Sequence, residues 1–470
     1  MLNRFTTDRR GIKLGVAPVR RTAWTHKPFN LPVAIAYKEK ILAALQAFDC
    51  EILSLEGLTE DGLLFNVEDA DRVADVFIRE NVDAVFVPHC NFGSEESVAR
   101  LCKKVGKPVL LWGPKDEINP EDFYRYRDSQ CGLFATSKVL SMYGVPFTYI
   151  ENCSVDDPTF AEGFQRFLAV VSVVKAFRNL RIGQIGARPA PFASVKCNEM
   201  ELLQKFGIEI LPMTMTDLRA RLEKYRKENG ESILRECAEM RERFESSCIS
   251  DEKMRDIVVL KRTVEQWAEE EHLSAVATQC WGPMVETAGV MPCFALSEVC
   301  DDGLPFICEE DVHGAITAVL AMAATRYEEP IFLADITIRH PENPNAELLW
   351  HCGVFAKSLA RYPDQLRIAN HYNRLCPAVG EWELKEGLLN ILRFDGFTND
   401  YRLLLGKAQG ISGPKTVGAY LWMEVDDWSR WEKKLIYGPY IHHCVGIYRD
   451  IRNILEEACR YIPGLEPDRV

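Results

Sequence analysis

Short apolar runs alternate with helical periods from the start of the chain to about residue 328, and this rhythm restricts the fold more than any other feature. Ile12–Ala17 (IKLGVA), Ala84–Pro88 (AVFVP) and Pro108–Trp112 (PVLLW) have the length and composition of buried strands, while Ala34–Phe48 and Ser94–Val105 carry helical periods. A long helix is expected over Phe160–Phe177. A second block of the same kind follows, with strands at Leu180–Gly186, Ile208–Leu211 and Ser274–Thr278. Its helices are expected at Cys197–Phe206, across the charged stretch 216–246 and at Val258–Glu271. Strands that are apolar throughout and separated by helices form doubly wound parallel sheets. From about residue 331 the character changes. Runs such as IFLADITIRH and GAYLWMEV are mixed with irregular polar segments, and an amphipathic helix is expected at Tyr448–Arg460. The fold class is therefore α/β, with two doubly wound parallel-sheet domains (1–155 and 156–328) followed by a β-rich, barrel-like domain (329–470).

Composition narrows the function classes. Acidic residues outnumber basic ones, 69 to 56, for a net charge of −13, which works against nucleic-acid binding. The longest greasy run, FLAVVSVV at 167–174, is cut by Lys175 and falls short of the ~20 residues that span a bilayer. MLNRFTTDRRG has no apolar stretch after its charges, so a cytoplasmic protein without a secretory leader or membrane segment is expected. The 16 cysteines are scattered from Cys50 to Cys459 with no CxxC pair, which argues against a zinc ribbon; most are read as buried thiols. Gly183 and Gly186 lack the third glycine of a dinucleotide fingerprint, and the following RPAPF would break its helix.

Ligands of doubly wound sheets approach the carboxyl ends of the strands. The loops there carry Arg20 and Arg21 after the first strand, and His89, Asn91 and Gly93 after AVFVP. These are either substrate contacts or ordinary loop groups. Three further elements concentrate ligand-type side chains: Cys308-Glu309-Glu310-Asp311-Val312-His313-Gly314 behind an apolar run, Asp335 within the strand FLADI, and His442-His443 after a Gly-Pro turn. A carboxylate in an apolar strand needs an arginine, backbone N–H groups or a metal beside it. Asp311 or Glu310 suits the start of the helix through Ala315–Ala324, which frees Glu309 to face the strand end. Two carboxylates with one imidazole suit a divalent ion such as Mn²⁺ or Mg²⁺ rather than zinc in a thiolate cage, and His351 offers a further nitrogen.

In this order, CEED, then FLAD, then a late His-His, the chain resembles the L-fucose isomerase and L-arabinose isomerase superfamily. IGARPAPFASVKCNEMELLQKFGIEI is similar to the start of that family's middle domain, and Arg127-Asp128-Ser129-Gln130-Cys131-Gly132 to the segment closing its first. The resemblance runs through nearly the whole chain, although the C-terminal part is shorter than in fucose isomerases, so substrate contacts from that part do not transfer. It implies a Mn²⁺ site (or Mg²⁺ or Co²⁺) held by Glu309, Asp335 and His443, with the arabinose branch placing another histidine near His351. It also implies a homo-oligomer, a hexamer or similar, with the active site completed by a neighbouring subunit's first domain, to which Arg20, His89 and Asn91 would belong.

The implied reaction is aldose–ketose isomerisation, a proton moving between C1 and C2 through an enediol. Unactivated sugar C–H groups need electrostatic stabilisation of the developing charge together with an acid and a base. Glu309 and Asp335 would act both as ligands and as proton carriers, with Glu309 as base; His442 would donate to a sugar oxygen, and Trp281 would supply an aromatic platform. Deoxyhexose, pentose, hexose and sulfonated hexose substrates all stay open. So do two other functions, a non-catalytic sugar sensor and a metal-dependent epimerase or lyase on the same fold.

Overall fold

The computed structural model describes residues 5, 9–22 and 29–470; residues 1–4 and 6–8 of the N-terminal segment read above lie outside them. The chain forms two compact units, one spanning Arg10–Lys175 and the other Ala176–Val470 with Met1–Arg9.

In the first unit, β1 (Lys13–Val16), β2 (Glu51–Leu53), β3 (Ala84–Pro88), β4 (Val109–Trp112) and β5 (Thr148–Tyr149) make a parallel sheet in the order β2-β1-β3-β4-β5. The pleat sends alternate residues to opposite faces. Val85, Val87, Val109 and Leu111 join an apolar layer with the helices Val67–Arg79 and Glu95–Val105. Ala84, Phe86, Leu110 and Trp112 join another with Leu31–Leu45 and the phenylalanines at 160, 164 and 167. Every residue of β3 is buried, which accounts for its unbroken apolar sequence.

The second unit holds two sheets. β6 (Arg181–Ile185), β7 (Glu209–Met213), β8 (Ala275–Thr278) and β9 (Phe306–Ile307) are parallel, in the order β7-β6-β8-β9. The charged stretch expected as one helix breaks at Asn229-Gly230 into Met215–Glu228 and Gly230–Arg243. The helix Val312–Ala324 is buried on all sides, as its nearly all-apolar sequence requires.

The third part of the sequence is a nine-stranded, mainly antiparallel sheet: β10 (Phe332–Arg339), β11 (Ala346–His351), β12 (Arg367–Asn370), β13 (Pro377–Glu383), β14 (Gly387–Phe397), β15 (Asp400–Ile411), β16 (Ala419–Glu424), β17 (His443–Ile447) and β18 (Leu465–Arg469). Its order is β12-β13-β16-β11-β10-β17-β14-β15-β18, and a further β15–β16 pairing closes six of these strands into a ring. Closure removes exposed strand edges, giving the barrel-like end expected from the sequence. The expected terminal helix is shorter, Arg452–Cys459, and is followed by β18, which pairs parallel to β15. LEPDR has too little alternation to read as a strand.

β17 lies close against β10 because Gly446 faces Phe332: a Cβ at Gly446 would come within 2.0 Å of the ring. Gly446→Ala is therefore expected to destabilise the protein by about 1–3 kcal/mol through overpacking. Gly230→Ala, with no atom within 4 Å of the new methyl, is expected to be neutral or slightly stabilising. Urea unfolding of the two variants beside the parent checks both expectations.

Candidate active site

The chain leaves β9 through a single tight turn, Cys308–Glu310, in which Glu309 has φ 62° and Glu310 φ 59°. Two successive non-glycine residues in the left-handed region cost on the order of 1–2 kcal/mol each. The strain is held in place by buried contacts on both sides. Gln184 of β6 donates to Glu310, while Asp311 caps the following helix by accepting from Gly314 N at 2.9 Å. This turn directs the Glu309 side chain off the end of the parallel sheet toward His443.

Asp335 and His443 are set by strand register. They are direct partners across the antiparallel β10–β17 pair, which puts both side chains on one face. The burial of β10 runs from Phe332, Leu333 and Ala334 inside to an exposed far half, so Asp335 stands where the core meets solvent. His443 Nε2 lies 3.1 Å from Glu309 Oε2 and 3.5 Å from Asp335 Oδ1. His442 Nε2 is 3.9 Å and His351 Nε2 4.0 Å from the same Asp335 oxygen.

The other imidazole nitrogen fixes the role of the ring. His443 Nδ1 donates to Asp311 Oδ2 at 2.9 Å, because a carboxylate can only accept. With Nδ1 so engaged, Nε2 is the nitrogen that faces Glu309 and Asp335, and it would offer its lone pair once a bound cation displaced its proton. Asp311, completely buried, is held by the Arg393 guanidinium of β14, and Arg393 also donates to Asp395 Oδ2 at 2.8 Å, whose other oxygen meets His313 Nδ1 at 3.0 Å. Burial would raise the Asp311 carboxyl, but Arg393 and His443 hold it well below the usual carboxylate range. Burial likewise opposes protonation of His443, yet the hydrogen bond to Asp311 and the Glu309 carboxylate nearby lift it to about 9. His442 moves the opposite way, lowered by burial and by His443.

The donor set fits a divalent cation. Asp335 Oδ1 and His443 Nε2 are both buried without a hydrogen-bond partner, although they face each other. Among the described residues the ion pairs of Glu309 and Asp335 are with histidines alone, whereas Arg393 already offsets Asp311. Two carboxylates paired with histidines alone, and an imidazole nitrogen between them, match the hard-to-borderline character of Mn²⁺ or Mg²⁺. Among the described residues, Asp335, His442 and His443 are the set that brings one ligand atom each within 4.8 Å of one another, and Glu309 joins it through His443.

Around these groups the structure assembles an aromatic wall. Phe192, from the RPAPF segment, stacks on His443 with ring centres 6.1 Å apart and meets Trp281 edge-on at 5.1 Å. Trp281 is thus one ring removed from His443, and the exposed Arg374 guanidinium lies 4.9 Å above it. Phe192, Arg374, Asp311 as a histidine partner, and Arg393 were not singled out from the sequence. The last had a visible signal, an Arg-x-Asp pair inside the apolar run of β14.

Arg20, His89 and Asn91 belong to the Arg10–Lys175 unit. They cluster at the carboxyl ends of β1 and β3, where Arg20 Nε donates to Asp61 at 2.6 Å and Asn91 Oδ1 accepts from Arg21 N at 2.8 Å. Each retains one buried polar atom with no partner: Arg20 Nη1, His89 Nε2 and Asn91 Nδ2.

Comparison with known proteins agrees with this architecture. The family model described as fucose/sulfoquinovose isomerase, N-terminal domain, matches residues 15–178. Sulfoquinovose isomerases of Priestia aryabhattai and Priestia megaterium are each 26% identical over 444 residues, covering 93% of this chain and 95% of theirs. That of Alkalicoccus urumqiensis is 26% identical over 334 residues, covering 71% of this chain and 73% of its own. The match to that family model covers the first part of the chain, and the similarity to the sulfoquinovose isomerases runs through nearly all of it. No helix among the described residues is long and apolar enough to cross a membrane.

The Arg393–Asp311 pair gives this site a test of its own. Removing one member of a buried pair leaves the other uncompensated, so Arg393→Met is expected to destabilise the protein by about 3–5 kcal/mol, read by urea unfolding. A loss below about 1 kcal/mol would show that Asp311 does not depend on it.

Proposed function

We propose that the chain is a metal-dependent aldose–ketose isomerase acting on a sulfonated hexose of the sulfoquinovose type. The observation that carries this reading is the meeting of Glu309, Asp335 and His443, with two buried polar atoms left unpartnered between the strands. The sulfonated substrate is supported by the relatives that act on sulfoquinovose and by the Arg374 guanidinium over Trp281.

A divalent cation held by Glu309, Asp335 and His443, with Mn²⁺ the leading candidate and Mg²⁺ or Co²⁺ possible in its place, supplies Lewis-acid stabilisation of the negative charge that builds on the sugar oxygens. Glu309 is assigned withdrawal of the C2 proton and its return at C1, and Asp335 the passage of the O2 proton to O1, so that both carboxylates end the turnover as they began it. Positioned acid–base work of this kind contributes typically 10²–10⁴-fold. His442, exposed beside Asp335, donates to a sugar hydroxyl, and His351 steadies Asp335 from the other side. The wall of Phe192 and Trp281 gives the sugar ring an apolar face and keeps water off the reacting carbons. Arg20, His89 and Asn91 are assigned to the substrate of a neighbouring subunit in a homo-oligomer, on the support of their unpartnered buried atoms.

Incubation of the purified chain with sulfoquinovose and Mn²⁺, followed by NMR, is expected to show the corresponding ketose, and a chelator is expected to abolish turnover until Mn²⁺ is restored. Glu309→Gln and Asp335→Asn should each reduce turnover by roughly 10²–10⁴-fold with the fold intact by circular dichroism. Near-normal turnover in either variant rules out the assigned roles.

A further inference from the structure

Beside the candidate site lies a group of thiols that the isomerase reaction does not use. Cys280 follows β8, Cys293 opens the helix Cys293–Asp301, Cys308 follows β9, and Cys352 follows β11. Cys308 touches the other three, and the Cys293 and Cys352 sulfurs are 3.4 Å apart. A cysteine buried only as a small hydrophobe has no reason to select sulfur neighbours from three other segments of the chain. The four do not close into an ion cage. Among the described residues, the one set with ligand atoms mutually within 4.8 Å is Asp335, His442 and His443. The chemistry left to the close pair is oxidation.

We infer that Cys293 and Cys352 are a reversible dithiol, closed into a disulfide by a peroxide-class oxidant, and that closure displaces the side chains of the candidate site. Three features of the geometry carry this. Cys352 is half-buried and lines a cavity of about 210 Å³ with Cys248, Tyr372, Val379 and Gly418, so a small oxidant reaches it. Cys293 is fully buried, which makes it the resolving partner. Gly353 lies flat on Cys293, where a Cβ would sit 2.5 Å from its carbonyl oxygen and 2.6 Å from its Cα and Cβ, so the glycine is what lets the two cysteines meet.

The balance is simple. The Cys352 sulfur attacks one peroxide oxygen, the O–O bond breaks, and water leaves a sulfenic acid. The Cys293 sulfur then attacks that sulfur and expels a second water. Two thiols lose two electrons and two protons to one peroxide. A disulfide needs its sulfurs about 2.05 Å apart, so closure must draw them together by more than 1 Å. The backbone of Cys293 already abuts Gly353, so the shift falls on Cys352 and on His351, whose Nε2 is 4.0 Å from Asp335. Cys308, in contact with both sulfurs, passes it to the strained Glu309 beside it. The effect on turnover rests on the proposed function; the disulfide does not.

The test treats the reduced full-length protein with equimolar hydrogen peroxide and maps its peptides without reduction. The expected result is a Cys293–Cys352 cross-linked peptide, two hydrogens lighter than the separate pair, and a fall in isomerase turnover on the order of 10–100-fold that dithiothreitol reverses. Cys293→Ser and Cys352→Ser should form no such link and keep their turnover after the same treatment. Absence of the link in the parent protein overturns the inference whatever the variants do. A link without change in turnover overturns the control of the site. A link in a chain that has no isomerase activity before oxidation supports the dithiol and overturns the proposed function instead.

Discussion

One buried guanidinium organises the region on which everything else depends. Arg393 comes from β14, Asp311 from the start of the helix Val312–Ala324, and His443 from β17, and their contacts tie three elements at one point. Desolvating such a pair is costly, so its value lies less in net stability than in fixing which way an imidazole faces. With Asp311 satisfied by Arg393, His443 donates through Nδ1 and turns Nε2 toward Glu309 and Asp335. The site is left with two carboxylates whose ion pairs, among the described residues, are with histidines and with no arginine or lysine. Carboxylates and imidazoles gathered in this way, each imidazole able to give up its proton to a metal, are the physical reason to expect a divalent cation there.

The strain in the structure falls at the same place. Glu309 and Glu310 occupy left-handed backbone immediately after the parallel strand β9, and the turn is held by Gln184 on one side and the helix cap of Asp311 on the other. The parallel sheet thus delivers one acid at its carboxyl end, as doubly wound sheets do with their ligands. The ring of antiparallel strands delivers the second acid and the imidazole by register. Neither sheet alone assembles the set. Cys308 and Cys352 are next in sequence to Glu309 and His351, and the thiol of Cys293 meets both.

Much of this was legible in the sequence, for identifiable reasons. Strands buried on both faces leave unbroken apolar runs, so AVFVP and PVLLW could be read directly, and the change of texture after residue 331 marked the β-rich part. Glu309 and Asp335 attracted notice because a carboxylate in an apolar setting is expensive, and His443 as one of two histidines after a Gly-Pro turn; in the structure both acids face His443. What stayed hidden depends on tertiary contact. The break at Asn229-Gly230 separates two helices that share one charged pattern, and β18 is a strand because β15 offers it an edge. Phe192 lies in a proline-rich loop with no period, and the meeting of four scattered cysteines has no spacing to announce it.

The most direct measurement is a Mn²⁺ titration of the metal-free protein followed by electron paramagnetic resonance. The account requires one ion bound tightly per chain, with the bound signal lost or at least a hundredfold weaker in affinity when His443 and Asp335 are replaced by alanine and asparagine. Tight binding that survives both substitutions, or no stoichiometric binding in the parent protein, would contradict it.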